Sequence, residues 1–129
     1  MSVFSKIISG EIPSLKIAES EKFIAFLDIE PLVTGHVLVV PKIEVNKIFD
    51  VPDEYLSEML VFAKPIAHAI EKAFHCKRCG ISVIGLEVPH AHMHLIPINS
   101  PNDLNFTRLK LTPSPEELRS AQQKILAQM

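Results

Sequence analysis

The sequence predicts an α+β fold, a single domain in which one antiparallel sheet of about five strands packs against one long helix. Two observations lead to this fold class. Short apolar runs separated by turn residues are typical of strands. Between Asp53 and Phe74 the apolar residues recur at helical spacing, which predicts one long helix. The chain has 129 residues, 47% of them hydrophobic, which is enough for one core and scarcely for two.

The order of the elements follows from residues that start and stop them. Ser2 can cap a short N-terminal helix that ends at Gly10. Two strands joined by a tight turn come next, and then a strand that is apolar on both faces and ends at Pro41. The predicted strands cover 16–20, 23–27, 36–40, 80–84 and 90–98. Only five residues separate the last two strands, so they should be antiparallel neighbours.

Prolines mark both remaining helices. Pro65 lies inside the long helix, where it removes one N–H and crowds the preceding turn, so we expect a kink or a break there. The run Ser114-Pro115-Glu116-Glu117 is a capping box with proline at the first helical position. It predicts a C-terminal helix that runs toward Met129.

Charge and hydropathy exclude several kinds of partner. The 13 Lys and Arg residues against 15 Asp and Glu give a net charge of -2, so nothing attracts nucleic acid or an anionic membrane at long range. No apolar stretch approaches the roughly 20 residues that span a bilayer, and the N-terminus does not resemble a secretion signal. We therefore expect a cytoplasmic protein that holds a small molecule through local groups, with no nucleic-acid and no membrane partner.

Two cysteines, Cys76 and Cys79, are too few for a disulfide framework. Their spacing suits a metal or redox pair, and His75 is adjacent. Because no second pair accompanies them, two incidental thiols at the end of a helix are the favoured interpretation.

Three histidines alternate with apolar residues near the end of the predicted sheet. Alternate residues of a strand point to the same face, so His90, His92 and His94 would line one face. The apolar residues between them would be buried on the other face and fix the register of the strand.

Such a row of imidazoles could serve two kinds of chemistry, or it could be incidental. Neutral imidazole binds zinc, copper or iron, but bringing three consecutive same-face histidines onto one ion strains a flat strand. An oriented imidazole can instead attack phosphorus. We therefore favour a nucleophile and expect neither a metal nor a cofactor.

The run His90-Ala91-His92-Met93-His94-Leu95-Ile96 resembles the signature of the histidine triad superfamily. Three further segments resemble the other landmarks of that family in the expected order: FSKIISGEIP at 4–13, FLDIEP at 26–31 and GHVLVVPK at 35–42. The chain looks most similar to the bacterial nucleotide-binding, phosphoramidase-like branch. The resemblance covers 3–108 and leaves 109–129 as a C-terminal helical extension packed on or near the same domain.

The resemblance implies a homodimeric hydrolase that binds a purine nucleotide. It would cleave at the α-phosphate of a nucleoside phosphoramidate or a related conjugate, through a nucleotidyl-histidine on His92. By the same resemblance, His94 and His36 would lie beside the phosphate, His90 would order the triad, and Asp28 would bind the ribose hydroxyls. The slot for the base would be lined by Ile7, Phe26, Leu27, Ile29 and Val88.

Two departures from the family pattern narrow this expectation. The branch that specialises in nucleotide transfer has glutamine in place of the third histidine, whereas His94 is present here, which favours hydrolysis. Many bacterial relatives hold a structural zinc through two cysteines and a histidine, but Ser2, Ser5 and Glu44 stand at those positions. We therefore expect no such zinc.

The segment before the triad departs further from the family pattern. Relatives carry glutamine and then serine or threonine where this chain has Leu86 and Glu87, so a donor near the phosphate is lost. Losing one oriented donor costs on the order of 100-fold or more in rate. Two hypotheses follow. Either Glu87 is a general acid for an amine leaving group, or the protein is a catalytically weak nucleotide-binding, regulatory module.

Overall fold

One five-stranded antiparallel sheet organises the chain, and the computed structural model describes every residue from 1 to 129. Its strands, in the spatial order β1-β2-β3-β5-β4, are β1 Lys16–Glu19, β2 Phe23–Leu27, β3 Val37–Pro41, β4 Arg78–Ser82 and β5 Met93–Ile98. The helices are α1 Val3–Ser9, α2 Asp53–Ala73 and α3 Pro115–Leu126. Short 3-10 segments cover Ile48–Asp50 and Pro101–Leu104. The predicted fold class is confirmed.

The two faces of the sheet bury two separate clusters. The main core lies between the sheet and helices α2 and α3, and its members include Ala25, Leu27, Val37, Val39, Met59, Ala63, Ile66, Ile70, Leu95, Ala121 and Ile125. The opposite face carries a smaller cluster made of Phe4, Ile24, Phe26, Leu38 and Val40, with Ile7, Ile8 and Val88 packed against it. Strands β2 and β3 are therefore buried on both faces. This second face is the one on which the histidines lie.

Helix α2 is continuous through Pro65, so the expected break is wrong, while the alternative of a kink stays a prediction. The proline lies on the solvent side of the helix. Ala63 before it and Ile66 after it both pack into the main core. Val61, whose carbonyl the proline leaves without its usual partner, is 70% exposed, so water can satisfy that carbonyl. Packing on either side of Pro65 thus holds both halves of the helix on one core.

The helix caps are those that the sequence predicts. The Ser2 hydroxyl accepts a hydrogen bond from the Ser5 N–H at the start of α1, and Gly10 ends the helix with a φ of 86°. Ser114 and Glu117 form the capping box of α3. Because Ala121 and Ile125 of α3 are buried in the main core, the C-terminal helix is part of the same domain. None of the three helices is both long and apolar enough to cross a membrane.

Strand β5 begins later than predicted, at Met93 rather than at His90. The Ala91 N–H donates to the Val45 carbonyl at 2.7 Å, and the His90 N–H donates to the Val88 carbonyl at 2.8 Å, so this stretch does not pair with β4. In the β4–β5 ladder Ser82 is the partner of His94. Only the third histidine of the run therefore lies in the sheet.

Gly35, directly before His36, provides a test of this packing. Its φ is +98°, and a Cβ atom there would lie 2.5 Å from a ring carbon of Phe74. Gly10 also has a positive φ, but a Cβ atom there would have nothing within 4 Å. We expect Gly35→Ala to lower the free energy of unfolding by about 2 to 5 kcal/mol, and Gly10→Ala by only about 1 to 2 kcal/mol. Urea unfolding measures both values, and equal losses would contradict the contact with Phe74.

Candidate active site

Three polar side chains from neighbouring strands meet at one end of the sheet. Asp28 follows β2, His36 precedes β3, and His94 lies in β5 opposite Leu38. The Asp28 N–H donates to the His36 carbonyl at 3.0 Å, which ties the ends of β2 and β3 together. As a result, His36 Nε2 lies 2.9 Å from His94 Nδ1 and 3.7 Å from Asp28 Oδ2.

Backbone geometry determines which nitrogen of each ring carries the proton. The Leu32 N–H donates to His36 Nδ1 at 3.1 Å, so that nitrogen is an acceptor and the proton of neutral His36 is on Nε2. His36 Nε2–H then donates to His94 Nδ1. The proton of neutral His94 must therefore be on Nε2, which makes His94 a hydrogen-bond donor toward a ligand.

Burial keeps this histidine pair neutral. It lowers the pKa of His36 to about 3 and the pKa of His94 to about 4, with further lowering from neighbouring positive charge. Both rings are therefore uncharged at neutral pH, as the hydrogen bond between them requires.

His92 has the opposite tautomer. Its Nδ1 lies 2.6 Å from the His90 carbonyl oxygen, and because a carbonyl can only accept, Nδ1 carries the proton. The lone pair of neutral His92 is then on Nε2, which makes no hydrogen bond within the chain. Burial lowers the pKa of His92 and favours the neutral ring. The His92 and His94 rings lie 4.9 Å apart between centroids, so a lone pair and an N–H donor stand side by side.

His90 is fully buried and anchors the start of the histidine run. Its Nε2 donates to the Pro41 carbonyl at 2.9 Å, and its Nδ1 accepts from the Ser2 hydroxyl at 2.8 Å. Ser5 in turn donates its hydroxyl proton to Glu44 at 2.6 Å. These four side chains do not fit a tetrahedral zinc site, because two of them are hydroxyls and zinc prefers thiolate, imidazole and carboxylate ligands.

An apolar wall stands beside the histidines. Phe4 packs edge-on against His92, with ring centroids 5.0 Å apart, and against Phe26 at 5.6 Å. Ile7 and Val88 pack against the same small cluster. The structure thus brings together three of the five residues expected to line a base slot, and it adds Phe4.

The segment from Phe106 to Lys110 covers the other side of the histidine pair. The Phe106 ring lies 4.6 Å from the His94 ring and 6.2 Å from the His36 ring, between centroids. Four residues later, the Lys110 ammonium forms an ion pair with Glu87 at 3.1 Å. Neither residue belongs to a periodic pattern, so only the fold shows that they reach the site.

A HIT domain family model matches residues 9–100 of the chain. The chain belongs to the HIT family. It is 41% identical over 96 residues to adenosine 5'-monophosphoramidase HNT1 of Saccharomyces cerevisiae, with 74% of this chain and 61% of that protein covered. The chain thus spans about three fifths of the length of that relative. It is 33% identical over 127 residues to adenosine 5'-monophosphoramidase hnt1 of Schizosaccharomyces pombe, with 95% and 94% covered.

The solved structures agree with this assignment. A Hit-like protein from Bartonella henselae has a TM-score of 0.85 to this chain at 30% identity, with 99% of this chain and 96% of that one covered. The C-terminal helix is therefore included in the match, although it lies outside the residues that the HIT family model covers.

Two of the expected base-slot residues lie elsewhere. Leu27 is a member of the main core on the opposite face of the sheet from Phe26, because neighbouring residues of β2 alternate between the faces. Ile29 is 63% exposed, beyond the end of β2. The contact of each of these two residues with a base stays a prediction.

The segment before the histidines supplies no side-chain donor to His92. Leu86 is exposed, and the Glu87 side chain is 77% exposed and directed to Lys110. A general acid must reach the leaving group by a hydrogen bond, whereas both oxygens of the Glu87 carboxylate face Lys110. The geometry therefore disfavours the first of the two hypotheses for Glu87.

The possible metal ligands of this chain include only His94 of the histidine run. The one group of three whose ligand atoms all lie within 4.8 Å of one another is Asp28, His36 and His94, and the facing nitrogens of its two histidines already share a hydrogen bond. The cysteines are also unpromising ligands. Burial raises the pKa of Cys79 to about 12 and raises that of Cys76, which disfavours the thiolate that metal binding needs.

The neutral histidine pair predicts how stability depends on pH. Between pH 6.5 and about 4 the unfolded imidazoles take up protons while folded His36 and His94 stay neutral. The unfolded state then binds more protons, so the free energy of unfolding falls as the pH falls, by roughly 3 kcal/mol for each of the two histidines. His36→Gln should reduce this fall, and His68→Gln, a change at an exposed histidine, should not. An unchanged pH dependence in His36→Gln would contradict the buried neutral pair.

Proposed function

We propose that this HIT protein hydrolyses the P–N bond of a purine nucleoside phosphoramidate, or cleaves a related nucleotide conjugate at its α-phosphate, with His92 Nε2 as the nucleophile. The observation that carries the proposal is the 2.6 Å contact between His92 Nδ1 and the His90 carbonyl, because it leaves the Nε2 lone pair free. Its relatives in two yeasts are named adenosine 5'-monophosphoramidases, which supports the substrate class.

The reaction proceeds in two displacements. The Nε2 lone pair of His92 forms a bond to phosphorus while the P–N bond breaks, and the nitrogen leaves with the electron pair and takes a proton from water. A second water molecule then attacks phosphorus, the bond to Nε2 breaks, and its electron pair returns to His92. The proton released in this step neutralises the hydroxide formed in the first. Throughout, His94 Nε2–H donates to a phosphoryl oxygen, where negative charge develops.

The nucleoside would lie across Asp28 and the small apolar cluster. The Asp28 side chain is 20% exposed, and its Oδ1 already accepts from the Glu30 N–H at 2.9 Å. Its remaining acceptor capacity suits the two ribose hydroxyls. The base would pack against Ile7, Phe26 and Val88, which lie on the same face as His92.

Homodimerisation and a cytoplasmic location belong to this proposal as well. The sheet ends at β4, an edge strand, and exposed Ile81, Val83 and Ile84 lie on or beside it. A second copy that covers this edge would bury them. Sedimentation at micromolar concentration tests the dimer.

A covalent adduct tests the nucleophile directly. On rapid mixing with an adenosine phosphoramidate, the protein should gain the mass of one adenylyl group in alkaline denaturing mass spectrometry. His92→Ala should form no adduct and lose on the order of 1,000-fold or more in turnover. His75→Ala, a change at an exposed histidine, should retain both adduct formation and turnover. Turnover of His92→Ala within tenfold of the parent would contradict the assignment.

A catalytically weak nucleotide-binding module is the second candidate, because Leu86 and Glu87 offer His92 no donor. In that case AMP binds measurably by calorimetry, while neither adduct nor turnover exceeds the His92→Ala background. This combination of results would overturn the hydrolase and establish the module.

The role of Asp28 predicts a change in ribose selectivity. Asp28→Asn should weaken AMP binding by roughly 10- to 100-fold, because it removes charge-assisted hydrogen bonds to the hydroxyls. It should also narrow the preference for AMP over 2'-deoxy-AMP. The control is Glu30→Gln. Glu30 is exposed, and only its backbone N–H contacts Asp28, so this variant should leave the affinities for AMP and 2'-deoxy-AMP unchanged. Equal weakening of AMP and 2'-deoxy-AMP by Asp28→Asn would show that Asp28 does not bind the 2'-hydroxyl.

A further inference from the structure

The segment that follows the second 3-10 turn passes over the histidine pair and is fixed at both ends. At its start, Phe106 packs on His94. Two residues later, Arg108 Nη1 donates to the Asn102 carbonyl at 2.9 Å. At its end, the Leu111 N–H donates to the Pro31 carbonyl at 2.9 Å, close to Asp28. The backbone around Lys110 is therefore held over the site.

Lys110 lies where the two loops that flank the histidines meet. Its ammonium is 3.1 and 3.4 Å from the two carboxylate oxygens of Glu87 and makes no other hydrogen bond. The Lys110 side chain is only 31% exposed, whereas that of Glu87 projects into solvent. The cation is thus partly enclosed while its partner is free to swing away.

The charge of Lys110 acts on the groups of the site itself. It contributes to lowering the pKa of His36 and of His94, and it opposes the raised pKa of Asp28. Among the leading causes of these three pKa shifts, Lys110 is the one basic side chain that acts on all three groups. Lys110 is therefore the cation at the mouth of the site.

A reaction at a bound phosphate needs positive charge close to the phosphate oxygens. A bound α-phosphate is an anion, and the transition state increases the charge on its oxygens. The chain carries a net charge of -2, and two carboxylates, Asp28 and Glu87, already lie around the site. The neutral His94 donor alone leaves this charge uncompensated. The flexible four-carbon stem of lysine lets an ammonium move between nearby anions.

We propose that Lys110 is the phosphate-binding cation of this site, and that it exchanges the Glu87 carboxylate for the non-bridging oxygens of the bound α-phosphate. The inference rests on the proposed function, because it places the phosphate at His92. Lys110 would supply, from the C-terminal side of the histidines, the polar contact to the phosphate that Leu86 and Glu87 do not supply. Glu87 then acts as a competitor for Lys110 that occupies it while no ligand is bound.

The test compares AMP with adenosine, which lacks the phosphate, as calorimetric probes of binding. Lys110→Met should weaken AMP by roughly 10- to 100-fold, because an ammonium–phosphate contact is a charge-assisted hydrogen bond, and should leave adenosine unchanged. Lys110→Arg should recover part of the AMP affinity. Lys124→Met, a change at an exposed lysine of α3, should affect neither ligand.

Glu87 supplies a second and opposite prediction. Glu87→Gln should tighten AMP several-fold because it frees Lys110, and it should have no effect in the Lys110→Met background. A merely structural surface pair would show neither the tightening nor the dependence on Lys110, because exposed pairs contribute little. Both variants change side chains that are not buried, so circular dichroism should show the parent fold.

The outcomes separate this inference from the proposed function. If the parent protein forms the nucleotidyl adduct and Lys110→Met binds AMP as tightly as the parent, the inference alone is overturned. Equal weakening of AMP and adenosine by Lys110→Met overturns it too. If the parent forms no adduct but Lys110→Met selectively loses AMP, the phosphate contact stands and the hydrolase does not.

Discussion

The hydrogen bond between His36 Nε2 and His94 Nδ1, 2.9 Å long, is the constraint from which the rest of the site follows. Because a backbone N–H occupies His36 Nδ1, the direction of this bond is fixed, and His94 is left with a proton on Nε2. Burial keeps both rings neutral. One backbone amide thus determines the tautomer of a side chain two hydrogen bonds away.

Backbone carbonyls orient the other two histidines in the same manner. His92 donates to the carbonyl of His90, and His90 donates to the carbonyl of Pro41 at the end of β3. No buried side-chain nitrogen or oxygen lacks a partner, so the hydrogen bonds offset the desolvation of four buried imidazoles. Since the main chain sets the tautomers, the site presents a free ring lone pair on His92 and an N–H donor on His94 that need no carboxylate to orient them. The carboxylate of Asp28 remains available for a ligand.

Local patterns predicted most of this architecture, because strand runs, caps and helical spacing act over a few residues. The alternation at 90–94 predicted a strand that carries all three histidines, but His90 and His92 precede β5 rather than lie in it. Features that depend on the tertiary structure were not predictable. Packing on both sides of Pro65 keeps α2 continuous, and the approach of Lys110 to Glu87 joins loops 23 residues apart that carry no shared pattern.

The tautomers of the three interacting rings are the most direct test of this account. In ¹⁵N-detected NMR of uniformly labelled protein at pH 7, the imidazole shifts distinguish protonated from unprotonated ring nitrogens. His92 should carry its proton on Nδ1, and His36 and His94 should carry theirs on Nε2. Finding His92 protonated on Nε2, or His36 and His94 as imidazolium, would contradict the arrangement on which the proposed nucleophile and the proposed donor both depend.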